Sequence, residues 1–186
     1  AGDLTQYYLA KKGRNAIYLA TYAPTLLPIG ELRFVARLNV NKLPEADHGT
    51  DSNVGIAIES KDVFLLPDGR TSSKFYSAQP MLHDPLHGVK GPGVAVYMLM
   101  GNRELSSGGP FFKDIATQKT SVTHELYNYM FSNHTQTEAY RAGLHGVYGL
   151  LFTDGDAPPQ ALSDLGFVNN SLGLSGFIDS TGRGAV

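Results

Sequence analysis

A strand-like run, a helix-capping sequence, a spaced apolar stripe and a proline-led turn follow one another without a gap between residues 120 and 167. That order constrains the fold more than any other part of the chain. Residues 121–131, SVTHELYNYMF, mix aromatic and β-branched side chains with polar ones in rough alternation, as a strand with one wet face would. Ser132-Asn133-His134 interrupts the run. Thr135-Gln136-Thr137-Glu138 has capping-box spacing, so a helix is expected to begin near Gln136. Tyr140, Leu144, Val147, Tyr148 and Leu151 recur at helical spacing and would form one apolar face packed on something flat. Gly143, Gly146 and Gly149 would then sit on that helix at up to about 1 kcal/mol each relative to Ala, either tolerated or required by a close backbone approach. Thr153-Asp154-Gly155-Asp156 is turn chemistry. Pro158-Pro159 suits the first turn of a second helix, and Gly166 is placed to end it.

The front of the chain reads as strands. Residues 4–10 and 15–21 form a hairpin around Lys11-Lys12-Gly13-Arg14-Asn15, and Pro24 and Pro28 force an irregular connection after it. From residue 32 to 41, Leu32, Phe34, Ala36, Leu38 and Val40 alternate with Arg33, Arg37, Asn39 and Asn41, giving one apolar and one basic, polar face. Residues 53–59 repeat the pattern and are expected to pair with this strand through the loop at 44–52. Strands followed by helices imply an α+β domain, in which an antiparallel β-sheet is preceded by an N-terminal β-hairpin and followed by two C-terminal helices. The apolar strand faces would receive the helix stripe. Arg33, Arg37, Asn39, Asn41, Ser121, Thr123 and Glu125 would be left on the opposite surface.

With 186 residues and 42% hydrophobic content, one domain spanning 1–186 is expected. Its parts would be the hairpin at 1–23, the sheet at 31–131, the two helices at 135–166 and an extension at 168–186. No window holds eighteen consecutive apolar residues and no basic segment precedes an apolar signal core, so neither a membrane nor a targeting address is expected. The absence of cysteine excludes disulfides and thiolate metal sites. A formal net charge of −2 with no basic tail means that any nucleic acid would have to bind a local face of a few cationic and polar groups.

Catalytic motifs do not form. His83 and His87 are four apart, and His124-Glu125 opens like a zinc-protease motif, but Asn128 stands where the second ligand should be and the segment reads as a strand. Histidines 83, 87, 124, 134 and 145 therefore read as loop, cap and surface residues, with no metal and no cofactor. Gly88, Gly91 and Gly93 lack the strand-to-helix context of a phosphate loop, and Asp154 and Asp156 read as turn residues. These observations predict a protein that is not an enzyme.

The succession HELYNYMF, SNHTQTEAYRAG, GLLFTDGDAPPQAL and SDLGF resembles the final strand and two helices of single-stranded RNA bacteriophage (levivirus-like) coat proteins. The start, Ala1-Gly2-Asp3-Leu4-Thr5-Gln6-Tyr7-Tyr8-Leu9, resembles that family's first strand. The match covers about half the chain, residues 1–42 loosely and 120–167 more closely. The resemblance implies a capsid protein, assembled in the bacterial cytoplasm into a virion, whose helices pack on the sheet of an interlocked dimer partner. Dimers would close into an icosahedral shell around the RNA genome and meet the phage maturation protein, with translational repression through an operator hairpin. It implies RNA-binding roles for Arg33, Arg37, Asn39, Asn41, Ser121, Thr123 and Glu125.

The chain departs from that family in an enlarged loop at 60–118. This loop carries a hairpin candidate (Val63-Phe64-Leu65-Leu66, Pro67-Asp68-Gly69, Lys74-Phe75-Tyr76) and an apolar strand candidate at 94–100, and it is expected to contact other dimers. In the extension at 168–186, Leu172, Leu174, Phe177 and Ile178 could dock on a neighbouring subunit. Two rival classes remain. A β-rich carbohydrate-binding module would use Tyr7, Tyr8, Tyr22 and Tyr76, and a hydrolase would gather His and acidic groups in a pocket formed by residues 79–124.

Overall fold

A computed structural model describes residues 3–26, 28, 30–46, 55–60, 62–134, 138–158, 161–179 and 182. Its strands are β1 (Thr5–Ala10), β2 (Ala16–Ala23), β3 (Leu32–Asn39), β4 (Glu45–Ala46), β5 (Ile56–Glu59) and β6 (Val63–Leu65), then β7 (Thr71–Ser73), β8 (Leu86–Gly91), β9 (Val94–Met100), β10 (Thr117–Lys119), β11 (Thr123–Phe131) and β12 (Gly143–Thr153). They form a six-stranded sheet of order β1-β2-β12-β9-β8-β4, a three-stranded sheet β10-β11-β3 and a small sheet β5-β6-β7, all with antiparallel pairing.

The two larger sheets face each other across the main core. Leu19, Met98, Met100, Tyr148 and Leu150 project from the first sheet, and Leu32, Ala36, Leu126, Met130 and Phe131 from the second. The architecture is thus β-sandwich-like, not α+β. The central strands β2, β12 and β9 of the six-stranded sheet are mostly buried on both faces. Along β9, Val96, Met98 and Met100 point into the sandwich while Ala95, Tyr97 and Leu99 point away. Ala161, Val168 and Leu174 of the last segment cover that outer side. The tail therefore docks on its own sheet, with Phe177 packed against the same cluster, while Leu172 and Ile178 stay exposed.

Two C-terminal helices do not form. Among the described residues the helical segments are short 3₁₀ turns at Met81–His83, Ala161–Phe167 and Asn170–Leu172. Of the expected capping box at 135–138, residues 135–137 lie outside the described residues. Its apolar stripe lies on β12 and just before it, and the reason for the mistaken period is a bulge. Gly146 pairs with Ala20 and Tyr148 with Leu19, leaving Val147 as the extra residue. The insertion shifts the strand's phase, so Leu144, Val147 and Leu151 share the outer face at spacings of three and four, as they would on a helix. Tyr140 and Tyr148 lie in the other core.

Pairing also differs from expectation. β3 pairs with β11, not with β5, whose own partner is β6. The expected loop at 60–118 contains strands β6 to β9 and the start of β10, and completes both larger sheets through β8, β9 and β10. A two-residue Pro92-Gly93 turn joins β8 to β9, with Gly93 at φ +68°, a conformation a side chain would strain. Because the apolar sheet faces are covered within one chain, no exchanged helices are needed to bury them, and the interlocked-dimer arrangement loses its physical reason.

Candidate functional site

On the outer side of the three-stranded sheet, alternation along β3 and β11 sets polar and aromatic side chains in register. Arg33 lies opposite Tyr129, Val35 opposite Tyr127, Arg37 opposite Glu125 and Asn39 opposite Thr123. Tyr127 and Tyr129 stack with centroids 5.5 Å apart and planes 5° from parallel. Arg33 donates to the Tyr129 hydroxyl at 2.9 Å, pairs with Glu31 at 2.9 Å and sits over the Tyr129 ring. Arg37 meets the Glu125 carboxylate at 3.0 Å, and Thr123 and Tyr127 also donate to it. Burial opposes ionisation of Glu125, yet those three donors hold its carboxyl below the usual range. Burial, reinforced by the neighbouring Glu125, pushes the Tyr127 hydroxyl far up, so it stays protonated and donates to that carboxylate.

Beside this layer lies a groove of about 490 Å³. Glu59, Ser60, Asp62, Val63 and Ser73 form one wall, and Lys74, Phe75, Tyr76, Ile115 and His134 line the rest. Two polar chains converge on it. In the first, His134 sets Nδ1 3.1 Å from Asp114 and Nε2 3.8 Å from Glu31, the carboxylate that also holds Arg33. Burial pushes Asp114 up, against hydrogen bonds from Ser132, the Ile115 N–H and His134. In the second, Lys74 reaches Asp62 at 2.5 Å and Gln118 at 3.5 Å, and Gln118 accepts from Tyr127 at 3.4 Å. The Phe75 ring stands edge-on to His134 at 5.5 Å. Tyr76, 70% exposed, marks the rim. The groove thus offers a cation, an imidazole with one nitrogen engaged by a carboxylate, and aromatic surface.

Of the residues singled out from sequence, Arg33, Arg37, Thr123 and Glu125 gather on this outer layer. Ser121 and Asn41 are exposed beyond its ends, and the Asn39 side chain accepts from the Asn41 N–H. Tyr7 accepts a hydrogen bond from Ser175 N–H and Tyr22 packs on Gly176, so both serve the tail; exposed Tyr8 lies on edge strand β1. His87, His124 and His145 are not surface residues: each is at least 97% buried in a strand and bonded to a backbone carbonyl, of Tyr127, Leu43 and Arg141 respectively. Lys74, Phe75, Asp114, Tyr127, Tyr129 and His134 escaped the sequence reading as site residues. A signal for the tyrosines was present, since Tyr127 and Tyr129 continue the parity of Ser121, Thr123 and Glu125. Asp114 and Lys74 carry none, because only the fold brings them to His134 and Gln118.

The groove beside the outer face of this sandwich sheet thus sets Lys74, His134 and two aromatic rings together with the carboxylates of Glu59 and Asp62. The chain belongs to the rhamnogalacturonan lyase B N-terminal domain family, whose model matches residues 1–176. It is 42% identical to rhamnogalacturonate lyase A of Emericella nidulans over 187 residues, 99% of this chain and 35% of that protein. Proteins of the same name from Aspergillus aculeatus and Aspergillus niger are 40% and 42% identical over 98% of the chain, which spans 35% and 37% of their lengths. These findings overturn the coat-protein resemblance and with it the virion, the shell, the RNA genome and hairpin, the maturation protein and the non-enzymatic reading. They fit the carbohydrate-binding alternative better. The coat-protein likeness rested on strand character and turn chemistry, which unrelated β-rich chains share.

Proposed function

We propose that this chain is the part of a polysaccharide lyase that binds a uronate-containing backbone of the rhamnogalacturonan type and cleaves it by β-elimination. The observation carrying this reading is that Lys74 and His134, each engaged by a carboxylate, line one groove together with Phe75 and Tyr76. Elimination removes the proton from the carbon bearing the uronate carboxylate, expels the glycosidic oxygen from the adjacent carbon and leaves a carbon–carbon double bond. It therefore needs a group that takes a proton, a group that returns one to the leaving oxygen, and positive charge near the carboxylate. Lys74 and His134 form the acid–base pair, and Arg33, fixed by Glu31 and Tyr129, supplies further positive charge beside His134. Printed names of the relatives support the substrate class.

The test is incubation with rhamnogalacturonan while following the ultraviolet absorbance of the conjugated alkene. Lys74→Met and His134→Gln are each expected to lower the rate by about 10²–10⁴-fold with an unchanged melting transition. Wild-type rates in either variant would overturn the assignment.

A further inference from the structure

Below the Tyr127–Tyr129 stack lies a buried ionic cluster that the proposed chemistry does not use. Asp84 pairs with Arg103, Oδ2 to Nη2 at 3.2 Å, and with His87, Oδ2 to Nδ1 at 3.0 Å. His87 reaches the Tyr127 carbonyl with Nε2 at 3.0 Å, and Arg103 Nη1 donates to the Met81 carbonyl at 3.3 Å. The cluster thus ties the segment after β9 to the middle of β11. Two atoms beside it are buried with no partner among the described residues, Arg103 Nε and Asp114 Oδ2. Both residues line one cavity of about 20 Å³, which Gln79 and Tyr127 also border.

A cavity of that size with polar walls accommodates one water molecule. A water accepting from the Arg103 Nε–H and donating to Asp114 Oδ2 satisfies both atoms. The other carboxylate oxygen, Oδ1, faces His134 Nδ1 at 3.1 Å and the Ile115 N–H at 2.8 Å. We propose that Arg103 is a positioning residue for His134: through one ordered water it fixes the Asp114 carboxylate, which in turn holds the imidazole with Nδ1 protonated and Nε2 turned to the groove. Glu31, 3.8 Å from Nε2, and the Tyr129 and Phe75 rings are the other neighbours of that imidazole, and Asp84 is the other acid facing Arg103. The assignment rests on the reading of His134 as a groove residue, and it differs from a purely structural role for Arg103 in the tautomer it predicts.

The experiment is ¹⁵N NMR of the histidine rings in the full chain, at a pH where His134 is neutral. In the wild type the Nδ1–H tautomer of His134 is expected in about tenfold excess, from its hydrogen bond to a charged acceptor. Arg103→Lys keeps the positive charge beside Asp84 but has no Nε–H, and is expected to lose most of that excess. Asp114→Asn should lose it as well. Retention of the excess in either variant overturns the proposal. A measurement on the wild type stands apart from folding of the variants: an Arg103 Hε resonance should show a nuclear Overhauser effect to a long-lived water, and its absence overturns the bridge. Because the tautomer is read without turnover, failure to cleave polysaccharide would refute the lyase reading and leave this one standing.

Discussion

His124 and His145 should make this fold acid-labile in a pH range where most carboxylates are silent. His124 is fully buried, donates from Nδ1 to the Leu43 carbonyl at 2.7 Å and leaves Nε2 with no partner among the described residues. His145, 3% exposed, uses Nε2 towards the Arg141 carbonyl at 2.9 Å and leaves Nδ1 without a partner among them. Protonating either ring places a new N–H in the interior opposite no acceptor among the described residues. Burial accordingly pushes both below their ordinary value against the pull of the backbone carbonyls, and Lys119 adds to the effect at His124. In the unfolded chain both take up protons near pH ~6.5. Below that point the unfolded state binds protons the folded state declines, so stability falls as the pH falls.

If both rings stayed wholly neutral when folded, the loss between about pH 7.5 and about pH 5.5 would reach its upper bound of about 2.7 kcal/mol. With an ordinary urea dependence, the unfolding midpoint should move down across that range by no more than about 1–3 M. Asp84 and Glu125, held down in the folded state, lose their contribution only at more acidic pH, and Asp114, held up, acts with the opposite sign. Urea denaturation of the wild type and of His124→Gln, His145→Gln and the double variant, followed by circular dichroism over this pH range, isolates the effect. Each single variant should remove about half of the slope attributed to the pair. A slope that survives unchanged in the double variant would refute the reasoning.

Other expectations concern the packing that holds the groove. Gly88→Ala would set a Cβ 2.3 Å from the Tyr97 ring and 2.9 Å from the Val96 carbonyl, so denaturation should show a loss of about 1–3 kcal/mol or more. Leu126→Ala, emptying a fully buried position between the sheets, should cost about 2–5 kcal/mol in the same assay. Tyr148→Phe should cost only about 1 kcal/mol, because Thr21 keeps its 2.7 Å hydrogen bond to Gln6 when the tyrosine hydroxyl is gone. A loss above that of Leu126→Ala would place the Gln6–Thr21–Tyr148 contact among the principal supports of the sheet.

Local patterning carried the strands and failed at longer range. The alternation from residue 32 to 39 correctly separates Leu32 and Ala36 from Arg33 and Arg37, because one face of β3 is core and the other carries the site layer. The hairpin β1–β2 and the apolar strand β9 were equally legible from their composition. β12 was not, since a strand buried on both faces has no polar phase and its bulge imitates a helical repeat. The choice of β11 as the partner of β3 depends on contacts about ninety residues apart, which no local period encodes. Likewise His134 and Lys74, separated by sixty residues, become one site only after the sandwich closes. Arg33 and Glu125 were legible because each follows the polar parity of its own strand, β3 and β11, and the pairing of those strands sets both on one sheet face.

Strand β11 carries two interleaved messages. Its inward residues, Leu126 and Met130, hold the two sheets together, while Glu125, Tyr127 and Tyr129, one step out of phase, belong to the outer layer. Substitution at one parity can leave the other untouched, so the outer side is free to drift across generations while the interior stays constant. Insertion or deletion of a single residue ahead of Leu126 has no such freedom: it exchanges the parities, and the core and the outer layer are lost in one event. Length variation among descendants of this sequence should therefore accumulate in the connections and leave this strand untouched.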